Sequence, residues 1–168
     1  LLATIDKTLI SAGSRLLLTW ISAPSKNQTV INKRLDAISC FYENEVLLGS
    51  LRDIIRTVPD IERALSRLSA DRAGPRDLIA IRNALSKTDI IKAELLTANV
   101  GLSRIKDEFK RHIQDLDGYC SLVELLEKAL ADDPPILIRD GGYIAPGFDA
   151  ELDRLRNIKD ESRGLIVA

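Results

Sequence analysis

The chain has 168 residues, with 24 Lys and Arg against 25 Asp and Glu, for a net charge of −1. That balance gives no electrostatic footprint of a nucleic-acid binder, and 45% hydrophobic residues exclude wholesale disorder. Twenty-six Leu, 19 Ile and 16 Ala against 6 Val and 7 aromatics make a helical mixture, so an all-α fold is predicted.

Helical signals run from the start. Residues 12 to 21 place Leu16, Leu17, Trp20 and Ile21 on one broad face, closed by Pro24. Residues 23 to 29 read as a loop. Apolar residues from 28 to 42 (Val30, Ile31, Leu35, Ile38, Phe41, Tyr42) fall at helical spacing behind Asn27, a suitable N-cap. Asn44 can cap a third helix over 45 to 56, with Leu47, Leu48, Leu51, Ile54 and Ile55 inward. Pro59 and Asp60 mark the next start, and Ile61, Leu65 and Leu68 follow at i, i+4, i+7. Gly74-Pro75 breaks the chain and restarts it, and Leu78, Ile81 and Leu85 carry that helix to about Ser86. Thr88 or Asp89 can cap a shorter helix over 90 to 97. After a loop at 98 to 101, helices are expected near 102 to 115 and 119 to 131.

The pattern changes at Asp132. Asp132-Asp133-Pro134-Pro135 cannot continue a helix. Ile136-Leu137-Ile138, the turn residues Asp140-Gly141-Gly142, and Tyr143-Ile144 together predict one small β-hairpin near 136–145. A final helix then runs from Phe148 towards the C-terminus, with a narrow apolar stripe of Phe148, Leu152, Leu155 and Ile158. Opposite charges lie in reach of one another beside it: Glu151 with Arg154, Asp153 with Arg156, Arg156 with Asp160.

Several chemistries lack their residues. No apolar run approaches the length that spans a bilayer, and no basic segment leads into an apolar one as in a signal peptide. These point to a cytoplasmic protein. One His and two Cys cannot build a four-ligand Cys/His zinc site. No Met is present, and the chain opens on Leu-Leu, as an internal piece of a longer protein does. Asp140-Gly141-Gly142 is not part of a G-x-x-x-x-G-K-S/T phosphate loop. His112 sits between Arg111 and Ile113 without partners at catalytic spacing. Cys40 and Cys120 read as small buried hydrophobes and are expected to be free thiols. Arg104, Lys106, Lys110, Arg111 and His112 form the most basic helix, but Asp107, Glu108 and Asp115 interleave with them as on a solvated face. Arg72, Arg76 and Asp77 surround the Gly74-Pro75 break, where Asp77 can cap the new helix. No nucleophile is placed with a base, so no catalytic, cofactor-binding or metal-binding residue is assigned.

Four ordered strings go further. In residues 5 to 24, IDKTLISAGSRLLLTWISAP, the positions Asp6, Thr8, Gly13, Arg15, Leu16, Leu17, Trp20 and Pro24 follow a D-x-T-x-T-x-x-G-x-R-L-L-x-x-W-L-x-x-P pattern, with Ile10 and Ile21 departing from it. INKRLDAI (31 to 38), then VPDIERALSRL (58 to 68) with RAGPRDL (72 to 78), and DPPILIRDGGYIAPGFDAELDRLR (133 to 156) continue the likeness. In the last string Phe148 stands where Tyr is usual. Together they resemble the core (lever) domain of the MutS family of DNA mismatch-repair proteins, in its N-terminal half.

The resemblance implies a helical lever linking a DNA clamp to an ATPase domain. Residues 1–147 would be the body of the lever, and 148–168 the start of a helix leading towards the clamp. It implies that ATP, Mg, mismatched double-stranded DNA and a second MutS subunit belong to the parent protein, and that this segment is not itself an enzyme. Gly13 would permit close helix approach, and Arg15 and Trp20 would anchor packing. The C-terminal stripe, short of its partners, would be covered by another copy of the chain. Two other classes compete: a free-standing helical adaptor, and an enzyme domain using acids near Asp132 and Asp133.

Overall fold

The computed structural model describes residues 2–97, 107–136 and 138–167, without the side chains of 107–109 and 163–167. Ten α-helices run through the described residues: α1 (Leu2–Ile5), α2 (Ser11–Ser22), α3 (Gln28–Tyr42), α4 (Glu45–Arg56), α5 (Ile61–Ser69), α6 (Pro75–Leu85), α7 (Thr88–Thr97), α8 (Asp107–Gln114), α9 (Cys120–Ala129) and α10 (Ala150–Val167).

Short polar side chains start four of these helices by accepting from amides that have no partner within the helix. Asn27 Oδ1 accepts from Thr29 and Val30 N–H, at 2.9 and 3.3 Å. Asn44 Oδ1 takes Leu47 N–H at 3.0 Å, and Asp60 takes Arg63 N–H. Asp149 Oδ1 accepts from Leu152 N–H at 2.8 Å, which leaves Phe148 outside α10. The expected cap at Thr88 is different: its hydroxyl donates back to Leu85 O at 2.7 Å. Only Ser86 and Lys87 separate α6 from α7, so α7 begins two residues earlier than the pattern suggests.

The helices pack in two groups. α3, α4, α7 and α8 surround Leu47, Leu51, Leu95 and Ile113, with Phe41, Ile55, Ile91 and Leu116 against them. α5, α6 and α9 pack together, and α6 also touches α7. The buried residue of α5 is Ala64, while Leu65 and Leu68 stay exposed. A small residue at the contact lets the helices approach closely, so the i, i+4, i+7 leucine pattern marks the wrong face. Exposure recurs on the other helices: Leu16, Leu35, Ile38, Tyr42 and Leu48 all remain open. Among the described residues, eight apolar side chains are buried and twenty large ones are exposed.

The β-hairpin expected near 136–145 does not form. Ile138–Asp140 is a 3-10 turn, and Gly141 and Gly142 follow with φ of +69° and +76°. These two left-handed residues, a conformation that favours glycine, could turn a hairpin, but Ile138 is coiled into the 3-10 turn and offers no extended strand to return against. Tyr143 to Ala145 still extends, but it pairs with the end of α9. A lone antiparallel bridge joins Leu130 to Ile144. Ala131 N–H donates to Tyr143 O at 3.0 Å, and Ala145 N–H to Ala129 O at 2.9 Å. Ile144 thus pairs with the end of α9, earlier in the chain, and not with a strand at Ile136 or Ile138. Leu137 and the loop at 98–101 lie outside the described residues.

Candidate functional site

Charged side chains tie one helix to the next, and these ties are the most organised polar feature of the molecule. Arg15 on α2 reaches the start of α5. Its Nη2 lies 2.8 Å from Asp60 Oδ1, and its Nε donates to Glu62 Oε2 at 2.8 Å. The same Asp60 caps α5, so one carboxylate serves the helix and the tie. The paired guanidinium pulls the Asp60 pKa down to about 2. Arg67 on α5 forks onto Asp77 of α6, with Nε 2.8 Å from Oδ1. The other oxygen of Asp77 accepts from Gly74 N–H at 2.9 Å. Asp77 is thus a buried charge with both oxygens used, which is the condition under which a buried carboxylate is tolerated. Its pKa is lowered chiefly by the Arg67 hydrogen bond. Further ties join α7 to the turn after α8 (Lys92 with Asp117) and α2 to α3, where the Arg34 guanidinium lies 4.0 Å over the Trp20 ring in cation–π geometry.

The string before α2 has a local purpose. Asp6 accepts from the Thr8 hydroxyl and amide and from the Ser14 hydroxyl. A Cβ on Gly13 would come 3.3 Å from Thr8 Cβ and 3.4 Å from its Cγ2. Gly13 therefore makes room for the Thr8 side chain rather than for another helix, which corrects the expectation of close helix approach. Arg15 and Trp20 are anchors, as expected.

The densest joint is the root of α10. Asp153 Oδ2 accepts from Gly147 N–H at 2.6 Å, and its Oδ1 from Arg156 Nη1 at 3.1 Å. Arg156 Nη2 donates to Ile144 O at 2.9 Å. Ile144 is itself the residue bridged to Leu130 at the end of α9. One turn of α10 thus grips the extended segment, and that segment grips α9. Glu151 pairs with Arg154 as expected, at 2.6 Å. Arg156 turns back to the body instead of towards Asp160. At and just past this root Leu155 and Ile158 are 51% and 46% exposed, so the stripe of α10 is open along this part of its length.

The remaining candidates are dispersed. His112 is exposed, with Nδ1 3.8 Å from Asp115 Oδ2. Arg104 and Lys106 lie outside the described residues. Both cysteines are free, but neither is buried: Cys40 is half-exposed and Cys120 exposed, where its thiol donates to Asp89 Oδ2 at 3.2 Å. A hydrogen-bonded position at the start of α9 holds Cys120 at the surface, against the expectation of a small core residue. Asp132 and Asp133 are exposed in the turn after α9. Arg72 and Arg76 share a hollow with Ile136, Ile138 and Arg139. The described residues contain no group of three or more His, Cys, Asp or Glu that could hold a metal ion. No helix among them is long and apolar enough to cross a membrane. The Arg156 to Ile144 bond is invisible at the level of residue types, because a backbone acceptor carries no residue signature.

Comparison with known proteins agrees with the fold and the strings. The profile of the family described as MutS domain III matches residues 1–166. A protein of Roseobacter denitrificans named "DNA mismatch repair protein MutS" is 45% identical over 99% of this chain. Proteins of the same name from Ruegeria sp. and Paracoccus denitrificans are 44% and 41% identical over the same share. The chain spans about 18% of the length of these relatives. It belongs to the MutS family, as domain III.

Proposed function

We propose that this chain is the lever segment of a MutS-type DNA mismatch-repair ATPase. It carries no reaction of its own; its task is to pass a displacement between a DNA clamp and an ATPase domain. Residues 1–147 act as the body and 148–168 as the start of the arm. The observation that carries this reading is the root of α10, where Asp153 and Arg156 fasten the arm to the segment held by α9. A helix that transmits displacement needs a stiff anchor at its base, and coupling between distant sites travels through such packed or hydrogen-bonded elements.

ATP, Mg, mismatched double-stranded DNA and the second subunit belong, on this reading, to the parent protein in the cytoplasm. This chain holds no phosphate loop and contributes no residue to ATP chemistry. The open stripe of α10 is the face by which an isolated copy would pair with another.

The test is functional coupling in the parent protein. Arg156→Ala should weaken the effect of ATP on affinity for mismatched DNA by about tenfold, equivalent to about 1.4 kcal/mol of coupling, while ATP hydrolysis without DNA stays as it was. Unchanged coupling in a folded Arg156→Ala protein would remove the lever reading.

A further inference from the structure

A hollow of about 650 Å³ opens between the start of α6 and the 3-10 turn with Ile136 before it. Three arginines line it: Arg72, Arg76 and Arg139. Among the described residues Arg72 and Arg76 have no carboxylate partner. Arg139 comes no closer than 3.9 Å to Asp140, with both side chains more than half exposed, a contact worth little in water. The acid in the lining, Asp77, is already taken by Arg67 and by Gly74 N–H. The helix end makes a poor anion cradle here. Gly74 N–H is used, Pro75 has none, and Asp77 N–H donates to Gly74 O, which leaves the Arg76 amide alone in the first turn. Recognition of negative charge falls chiefly to the arginine side chains.

The rest of the lining is apolar. Ile136 and Ile138 are 64% and 55% exposed in the hollow. A second hollow, about 540 Å³, continues past Ile136 and shares Arg76, but its other charged residues are Asp133 and Asp140. Duplex DNA would leave the isoleucines wet and bring its phosphates against those two carboxylates. A peptide that carries an acid, then an apolar residue, then a base would satisfy both hollows and cover the isoleucines. Arginine suits such a site because its fork holds a carboxylate through two bonds.

We propose that these paired hollows dock a peptide segment of the same parent protein from outside this chain, with an acidic side chain on Arg72 and Arg76 and an apolar one on Ile136 and Ile138. The relatives supply ample chain for it, since this domain spans about 18% of their length. The proposal rests on the reading of the chain as one domain of a longer MutS-type protein.

The experiment places a p-benzoylphenylalanine crosslinker at Ile138 of the full-length parent protein and identifies its products by mass spectrometry, with a mismatched duplex present. The expected product is a crosslink to a segment outside this chain that has an Asp or Glu within a few residues of an apolar side chain. Arg72→Glu with Arg76→Glu should lower its yield about tenfold, and reversing the captured acid to Arg in that background should restore it. The rescue separates lost docking from misfolding. Crosslinks to DNA, products confined to residues of this chain, or a yield indifferent to the arginine changes would each overturn the proposal. ATP coupling is measured on the same preparations. Intact coupling with no peptide crosslink sinks the docking site alone, and lost docking cannot be confused with failure of the lever.

Discussion

Arg156 donates a 2.9 Å hydrogen bond to the carbonyl of Ile144, twelve residues earlier. The bond matters because Ile144 is extended backbone held on its other side by Leu130. A side chain of α10 therefore reaches α9 through one peptide unit, and the arm cannot swing at its base without breaking it.

Removing that side chain should loosen the joint before it unfolds the protein. Arg156→Ala is expected to cost about 1 kcal/mol, since charge-assisted bonds to a partly exposed group fall at the low end of their range. Arg156→Lys should recover only part of this, because an ammonium cannot span both Asp153 and Ile144 as a planar fork does. Urea unfolding gives the cost. Amide exchange at Ala145 and Ala131 gives its location, and those two amides should quicken more than any in α4.

The tie between Arg15 and Asp60 should appear in the acid limb of stability. Asp60 titrates at about 2 in the folded chain against 3.8 for a free side chain. The unfolded state therefore binds the proton more readily, so the stability from this group is complete above about pH 4 and is lost as pH falls through 2. Asp60→Asn should flatten this part of the acid limb while lowering stability at neutral pH. An acid limb identical in the two proteins would show that the tie contributes nothing.

Asp77 combines two roles that substitutions can separate. Asp77→Asn keeps an oxygen for Gly74 N–H but offers Arg67 no charge. Asp77→Ala removes both, and the loss of the cap alone is worth about 1 kcal/mol. Thermal unfolding should rank the proteins wild type, then Asn, then Ala. An alanine protein as stable as the asparagine one would mean that the cap is idle.

Both cysteines should titrate with a thiol reagent without prior reduction. Asp89, within hydrogen-bond reach, raises the pKa of Cys120 and so reduces its reactive thiolate. Asp89→Asn should speed labelling of Cys120 at pH 8 and leave Cys40 unchanged, which peptide mapping of the labelled protein can follow.

Much of this architecture is legible in the sequence because its punctuation is chemical. Asn27, Asn44, Asp60 and Gly74-Pro75 each mark a helix start, since each solves the problem of unpaired amides in a recognisable way. Burial was harder to see. The α5 pattern of Ile61, Leu65 and Leu68 looks like a core face, yet α6 packs on Ala64, and periodicity does not say which neighbour arrives. The hairpin failed for a related reason. Turn residues between two β-type runs give no hint that α9 ends with a free backbone edge at Leu130. The root of α10 is half visible: the spacing of Asp153 and Arg156 shows their pairing, while Gly147 N–H and Ile144 O cannot be read from residue types.

The central claim is that α10 and the helical body move as one piece. It is tested most directly by electron–electron distance measurement in the parent protein, with Cys40→Ser and Cys120→Ser and spin labels at Ser66→Cys on α5 and Asn157→Cys on α10. The account predicts one narrow distance distribution, the same with and without ATP, that broadens when Arg156→Ala is added. A distribution that is broad from the start, or that shifts with ATP in the otherwise unmodified domain, would contradict it.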